Sequence, residues 1–168
     1  MPTDHWTGLF GTADVTLILG YDDDETENQV LYDWEADGSV VYASEVQTPE
    51  WDELQAGYED QIDASDLGDA VSDSYDETFE EAGEFNSEVL GETIENLNTA
   101  NTGEEGDKTA FVTYHLADGS EDEDNSIFAA DVLGADKFDE TSEDNGYEMI
   151  LPTDYQASSE YHLYVELE

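Results

Sequence analysis

Three histidines, His5, His115 and His162, are the side chains of this 168-residue sequence that could bind zinc or carry protons near neutral pH. They are too few and too separated for one zinc constellation: no His-Glu-x-x-His occurs, and the chain has no cysteine to add a thiolate. His115 and His162 each stand opposite the apolar positions of an alternating run, which predicts solvent-facing strand residues rather than ligands. Asp118, Ser120, Asp122 and Asp124 have the odd-position spacing of a calcium loop. Such a loop needs glycine at its sixth position and a bidentate glutamate at its twelfth, where this sequence has Glu123 and Ala129. The spacing supports a weak surface site for Mg²⁺ or Ca²⁺ at most, and no metal or cofactor is expected. Neither Gly-x-Ser-x-Gly nor a phosphate-cradling glycine loop is present. With 47 Asp and Glu, a close carboxylate pair arises by chance and identifies no glycosidase-like acid and base. The expectation is a protein that is not an enzyme.

The charge balance narrows the partners. Against those 47 acids stand two lysines, Lys108 and Lys137, giving a net charge of −45. Binding to nucleic acid through phosphate neutralisation needs basic residues that are missing, and so does attraction to an anionic membrane. Self-repulsion of this size loosens a domain at ordinary ionic strength, where the Debye length is about 8 Å; at 1 M salt it is about 3 Å, so concentrated salt is the expected solvent. Disorder also favours high charge, but ten Tyr, six Phe and three Trp set in patterned runs argue for a folded domain. The start, Met1 to Trp6, has no basic region or apolar run, so no secretory leader is expected. No run of 18 apolar residues suggests a membrane span.

The elements follow from periodicity. Residues 1–12, with Trp6 and Phe10 among glycines and threonines, read as a docking arm. Val15, Leu17 and Leu19 alternate as a first strand, and Asp22 to Glu25 form an acidic tip, read as a solvated loop. Val30, Tyr32 and Trp34, then Val40, Tyr42, Ser44 and Val46, alternate around Asp37-Gly38, which predicts a hairpin over 30–46. Residues 47–70 are a long inter-strand excursion in which Trp51, Leu54, Tyr58 and Ile62 are spaced like a weak helix interrupted by Gly57. Tyr32, Trp34, Tyr42 and Trp51 can line a sugar or a partner, although core packing is the usual fate of strand aromatics. Val71 to Phe79 fits both periods and is assigned to a strand because Ser, Asp, Tyr and Thr suit helix interiors poorly. Val89, Leu90, Thr93, Ile94 and Leu97 make one apolar stripe with Asn86 or Ser87 as cap, predicting a short helix over about 87–98. Phe111 to Leu116 and Ile127 to Leu133 alternate on either side of Asp118-Gly119 as a hairpin. Tyr147, Met149 and Leu151, and then Tyr161, Leu163, Val165 and Leu167, complete the strands. The expected fold is one mainly β domain over 1–168, an antiparallel sandwich or partly open barrel of about seven strands with that one short helix.

This order of strands, long excursion, helix, hairpin and closing run Gly146-Tyr147-Glu148-Met149-Ile150-Leu151 resembles the major tail tube proteins of long-tailed viruses. The resemblance is one of element order over most of the chain. It implies a structural virion protein, joined in hexameric rings that stack into a tube, with self and other virion proteins as partners. It places the protein in the virion tail, and in the host cytoplasm during assembly. The acidity then implies a halophilic archaeal host and a lumen whose carboxylates repel DNA phosphates. Inter-subunit contacts are expected from Trp6 and Phe10 in the arm and from Trp51, Leu54, Tyr58 and Ile62 in the excursion. Two alternatives remain: a capsid decoration or spike protein of a halophilic virus, and a soluble haloarchaeal domain that binds a ligand or protein.

Overall fold

The computed structural model describes residues 6–23, 26–59, 62, 74–79, 85–101, 111–119, 125–133, 145–153 and 159–167. Strands β1 (Trp6–Thr12), β2 (Asp14–Asp23), β3 (Thr26–Ser44) and β4 (Gln55–Ala56) precede one helical turn, α1 (Tyr75–Thr78). After it come β5 (Ser87–Val89), β6 (Glu92–Ile94), β7 (Asn98–Asn101), β8 (Val112–Ala117), β9 (Ser126–Asp131), β10 (Gly146–Pro152) and β11 (His162–Leu167). The chain is mainly β, antiparallel throughout its pairings, and sandwich-like. A seven-stranded sheet runs β11-β3-β9-β8-β4, with β2 added to β3 and β7 to β8.

Alternation along the central strands supplies a core to each face of this sheet. Val41, Ala43, Phe128 and Ala130 point to one side, where β1 and β10 pair over them and bring Trp6, Tyr147, Met149 and Leu151. Tyr75 and Phe79 of the α1 region close the same core. Val40, Tyr42, Tyr114, Leu116, Ile127 and Ala129 point to the other side, covered by Val89 and Leu97 with Trp51, Leu54 and Ile94. Each large side chain so buried is worth about 1.5–3 kcal/mol.

Several expectations need correction. The stripe over 87–98 is not a helix: β5 and β6 form a hairpin that turns at Leu90 and Gly91, with φ of 51° and 79°. Gly91 supplies a left-handed turn position that would weaken a helix interior. Among the described residues the short helix lies instead at Tyr75–Thr78, inside the segment assigned to a strand; Val71 lies outside the described residues. Asp37-Gly38 is no turn, because β3 runs straight through it. The hairpin is β2 with β3, from Asp14 opposite Asp37 out to Asp23 opposite Thr26. The described part of the arm is strand β1, paired to β10 of its own chain. The β8–β9 hairpin closes as expected, with the Asp118 N–H donating to the Asn125 carbonyl at 3.0 Å.

Candidate functional site

Two places hold chemically able groups. The first is a polar chain within the first core. On β8, His115 points inward between Thr113 and Ala117, and its ring stacks on Phe128 at 4.8 Å between centroids. Its Nδ1 lies 2.7 Å from the Tyr75 hydroxyl and its Nε2 2.8 Å from Ser126 Oγ. The amide of Asn98 donates to the Tyr75 oxygen at 3.2 Å and to the Gly57 carbonyl at 3.1 Å. His115 therefore corrects the expectation of a solvent-facing residue: it is fully buried, and burial pushes its pKa down to about 3.

A serine next to a histidine has the atoms of a nucleophilic pair. Both ring nitrogens are engaged, Nδ1 by the Tyr75 hydroxyl and Nε2 by Ser126 Oγ, and in the neutral ring one nitrogen donates while the other accepts. The partner behind Nδ1 is the Tyr75 hydroxyl, not a carboxylate of the kind that supports an imidazolium. The chain of bonds gives both ring nitrogens of His115, the Tyr75 hydroxyl and the Asn98 amide partners within a dense core.

The second place is the edge of the large sheet. Strand β11 pairs only with β3 among the described strands, in the register Leu163 opposite Ala43, Val165 opposite Val41 and Leu167 opposite Gly38. Its odd residues remain exposed: Leu163 at 50%, Val165 at 40% and Leu167 at 39%. Its even residues are tied down. The Tyr42 hydroxyl donates to Glu166 Oε2 at 2.5 Å, the Leu90 N–H donates to the same oxygen at 3.2 Å, and the Tyr164 hydroxyl donates to the Gln47 carbonyl at 2.6 Å. Beside this pair, Tyr114 donates to Asp131 Oδ1 at 3.1 Å. Burial raises the pKa of both phenols and of Asp131, the last opposed by the hydrogen bond from Tyr114.

The six residues expected at subunit contacts are divided between the two cores and the surface. Trp6 and Ile62 are buried in the first core, and Leu54 packs on the second. Trp51 is wedged between the rings of Tyr42 and Tyr164, at 5.3 and 5.0 Å. Phe10 and Tyr58 are exposed, at 43% and 54%. The sequence marked β11 through its clean alternation but carried no sign of which face would be covered. His162 is half-buried on β11, 4.0 Å from Glu160, and His5 lies outside the described residues. Of the calcium-like spacing, Asp118 is buried and accepts from the Glu50 N–H at 3.1 Å, while residues 120–124 lie outside the described residues. Among the described residues no three His, Asp or Glu cluster closely enough to hold a metal. No protein-family model matches the chain, and no curated protein or solved structure matches it.

Proposed function

We propose that this chain is a structural virion subunit that assembles with copies of itself into stacked rings, a tail tube with an acidic bore, in a virus of halophilic hosts. The observation that carries the reading is the outer edge of β11, which pairs with no second strand among the described residues, together with its exposed Leu163, Val165 and Leu167. An edge strand of this kind is a template for another strand, and proteins that stay single blunt it with lysine, proline or a cover. The opposite edge of the same sheet is shared by β4 and β7, both short. Adding β11 of one copy to that edge of the next, head to tail, closes a ring and pairs both of these edges. The net charge of −45 supports the second half of the proposal, since a bore lined with carboxylates repels phosphate and lets DNA slide.

The test is electron microscopy of the purified chain in about 3 M salt, where the Debye length falls below ~3 Å. Rings or tubes of uniform bore are expected. Discrete closed oligomers would replace the tube with a decoration or spike protein, and a monomer at high concentration would refute self-assembly altogether. Val165→Glu, which places a charge in the proposed seam while changing only an exposed side chain, is expected to abolish rings and leave the circular dichroism spectrum unchanged.

A further inference from the structure

Asparagine followed by glycine is the pair in a polypeptide most open to spontaneous loss of ammonia, because glycine offers its backbone nitrogen with no side chain in the way. The sequence has one such pair, Asn145-Gly146, and it stands at a joint of the fold. Gly146 opens β10, pairs with Thr12 of β1 and bridges to Leu133 just beyond β9. The Asn145 amide nitrogen donates to Asp14 Oδ1 at 2.9 Å and to Asp37 Oδ1 at 3.2 Å, and these two aspartates stand opposite each other where β2 begins. One neutral side chain thus holds two carboxylates together with its two N–H groups. Asn145 has a φ of 62°, in the left-handed region that asparagine enters more readily than most residues.

The reaction needs motion about a bond that the fold holds from two sides. Rotation about the Asn145 Cα–C bond is what carries the Gly146 nitrogen onto Cγ, and the Asn145 carbonyl oxygen turns with it. That carbonyl accepts from the Ala13 N–H at 2.9 Å, and the Gly146 N–H donates to the Leu133 carbonyl at 2.9 Å. Ring closure therefore breaks two backbone hydrogen bonds as well as the two made by the side-chain amide. Local opening of the joint has to come first.

We propose that Asn145-Gly146 is a deamidation site held shut by the fold, and that its reaction is an irreversible mark of the chain having opened. Once the joint is open, the Gly146 nitrogen gives up its proton and attacks Cγ of Asn145, the side-chain nitrogen leaves as ammonia with that proton, and a five-membered succinimide remains. Water then opens the ring at either carbonyl to give aspartate or isoaspartate, so water is the one co-reactant. Either product puts a third carboxylate beside Asp14 and Asp37 where there was a donor of two hydrogen bonds, and isoaspartate also lengthens the backbone at the entry to β10. The trigger follows from the composition: concentrated salt screens the repulsion among 47 acids, and dilution releases it. A chain that has opened in dilute salt and reacted does not rebuild the joint when salt returns. The inference rests on bonds within one chain and needs neither rings nor a tube.

The test follows the mass of the peptide holding residue 145 in heavy-oxygen water, where conversion adds one heavy oxygen atom. Three mildly alkaline conditions are compared: concentrated salt, dilute salt, and urea in concentrated salt. Conversion at Asn145 is expected to outrun that at every other asparagine in urea, to be at least tenfold slower in the native protein in concentrated salt, and to approach the urea rate in dilute salt. Equal rates in urea and in the native protein overturn the protection, and no conversion at Asn145 in urea overturns the site. A dilute-salt rate as slow as that in concentrated salt overturns the trigger. Asn145→Gln keeps an amide but closes its larger ring far more slowly; it is expected to stay unconverted in urea, and conversion of that peptide would overturn the assignment to residue 145. The converted chain, returned to concentrated salt, is expected to have a folding constant at least tenfold below that of the unconverted protein. Asn145→Asp should match it, since aspartate tolerates the same left-handed backbone and lacks only the donors. Undiminished folding of both overturns the part given to the joint.

Discussion

Replacing His115 by glutamine should remove a pH dependence of folding whose size follows from the burial of the ring. The folded imidazole has a pKa pushed down to about 3, against an ordinary value of 6.5. Between those limits the unfolded chain takes up a proton that the folded chain refuses, so stability falls as pH falls, by about 1.4 kcal/mol per unit. Above pH 6.5 both states are neutral at this site and it contributes no slope. Between about pH 7.5 and pH 5 the native protein should therefore lose about 2 kcal/mol through this group alone. The lowest carboxylate steps fall below that window, and every other group titrates alike in native protein and variant, so the difference between the two curves isolates His115.

The assay is urea unfolding followed by tryptophan fluorescence at several pH values, in concentrated salt so that the unfolded histidine keeps its ordinary pKa. His115→Gln is expected to be the less stable protein at pH 7.5 and to have the flatter profile. Parallel profiles would refute the reasoning, since they would mean that the ring gains its proton in the folded state. A nuclear magnetic resonance titration of the native protein gives a second reading: the His115 ring should stay neutral to about pH 5, and a midpoint near 6.5 would contradict its burial.

Gly57→Ala should cost about 1–3 kcal/mol by chemical denaturation, because the new methyl would sit 2.6 Å from His115 Cδ2 in a core that cannot yield. Leu90→Asn should gain about 1 kcal/mol: Leu90 is exposed and sits at φ 51° before Gly91, and Asn-Gly suits that turn where leucine is strained. In an alkaline absorbance titration, Tyr42, Tyr75 and Tyr114 should stay protonated at about pH 11 until the fold is lost, since burial raises all three. Unfolded phenols ionise near pH 10, so stability should fall above that pH, and full reversible ionisation of all ten tyrosines in the folded state would count against it.

Strands were legible where residue types alternate along the chain. The run Val15 to Leu19 lies within β2, and Phe111 to Leu116, Tyr147 to Leu151 and Tyr161 to Leu167 coincide with β8, β10 and β11 to within a residue at their ends. The helix over 87–98 misled because Val89, Leu97 and the half-buried Ile94 reach one core from two strands and a connector, a spacing that coincides with helical turns. Gly91, Thr93, Asn96 and Asn98 carried the contrary signal, and Asn96 indeed has φ 59°. Asp37-Gly38 misled for another reason. Its glycine is there for close approach, since a Cβ would lie 2.8 Å from Ala13 Cβ and from Val165 Cγ1, and no short-range rule separates that need from a turn. His115 was placed by parity on the outer face of β8, yet β8 is covered on both sides, so parity decides which core a residue joins and not whether it meets water.

The shortage of cations has a consequence for how the carboxylates are held. A partly buried carboxylate elsewhere is met by lysine or arginine, and here the two lysines lie outside the described residues. Tyrosine hydroxyls and amide N–H groups stand in their place: Tyr42 and the Leu90 N–H on Glu166, Tyr114 on Asp131, the Glu50 N–H on Asp118, and Asn145 on Asp14 and Asp37. These neutral donors satisfy oxygens without cancelling charge. Salt ordinarily weakens attraction and repulsion together, but in a chain of 47 acids and two lysines it has almost only repulsion to screen. Stability in urea should therefore rise from about 0.1 M to 1 M salt, as the Debye length falls from ~10 to ~3 Å, and continue upward without the reversal that broken ion pairs would cause. Potassium and sodium chloride should act alike over that first range, because the effect is ionic strength and not occupancy of a site. A midpoint indifferent to salt would mean that the unfolded chain is as strained by its own charge as the folded one, and the acidic composition would then need a cause other than the solvent.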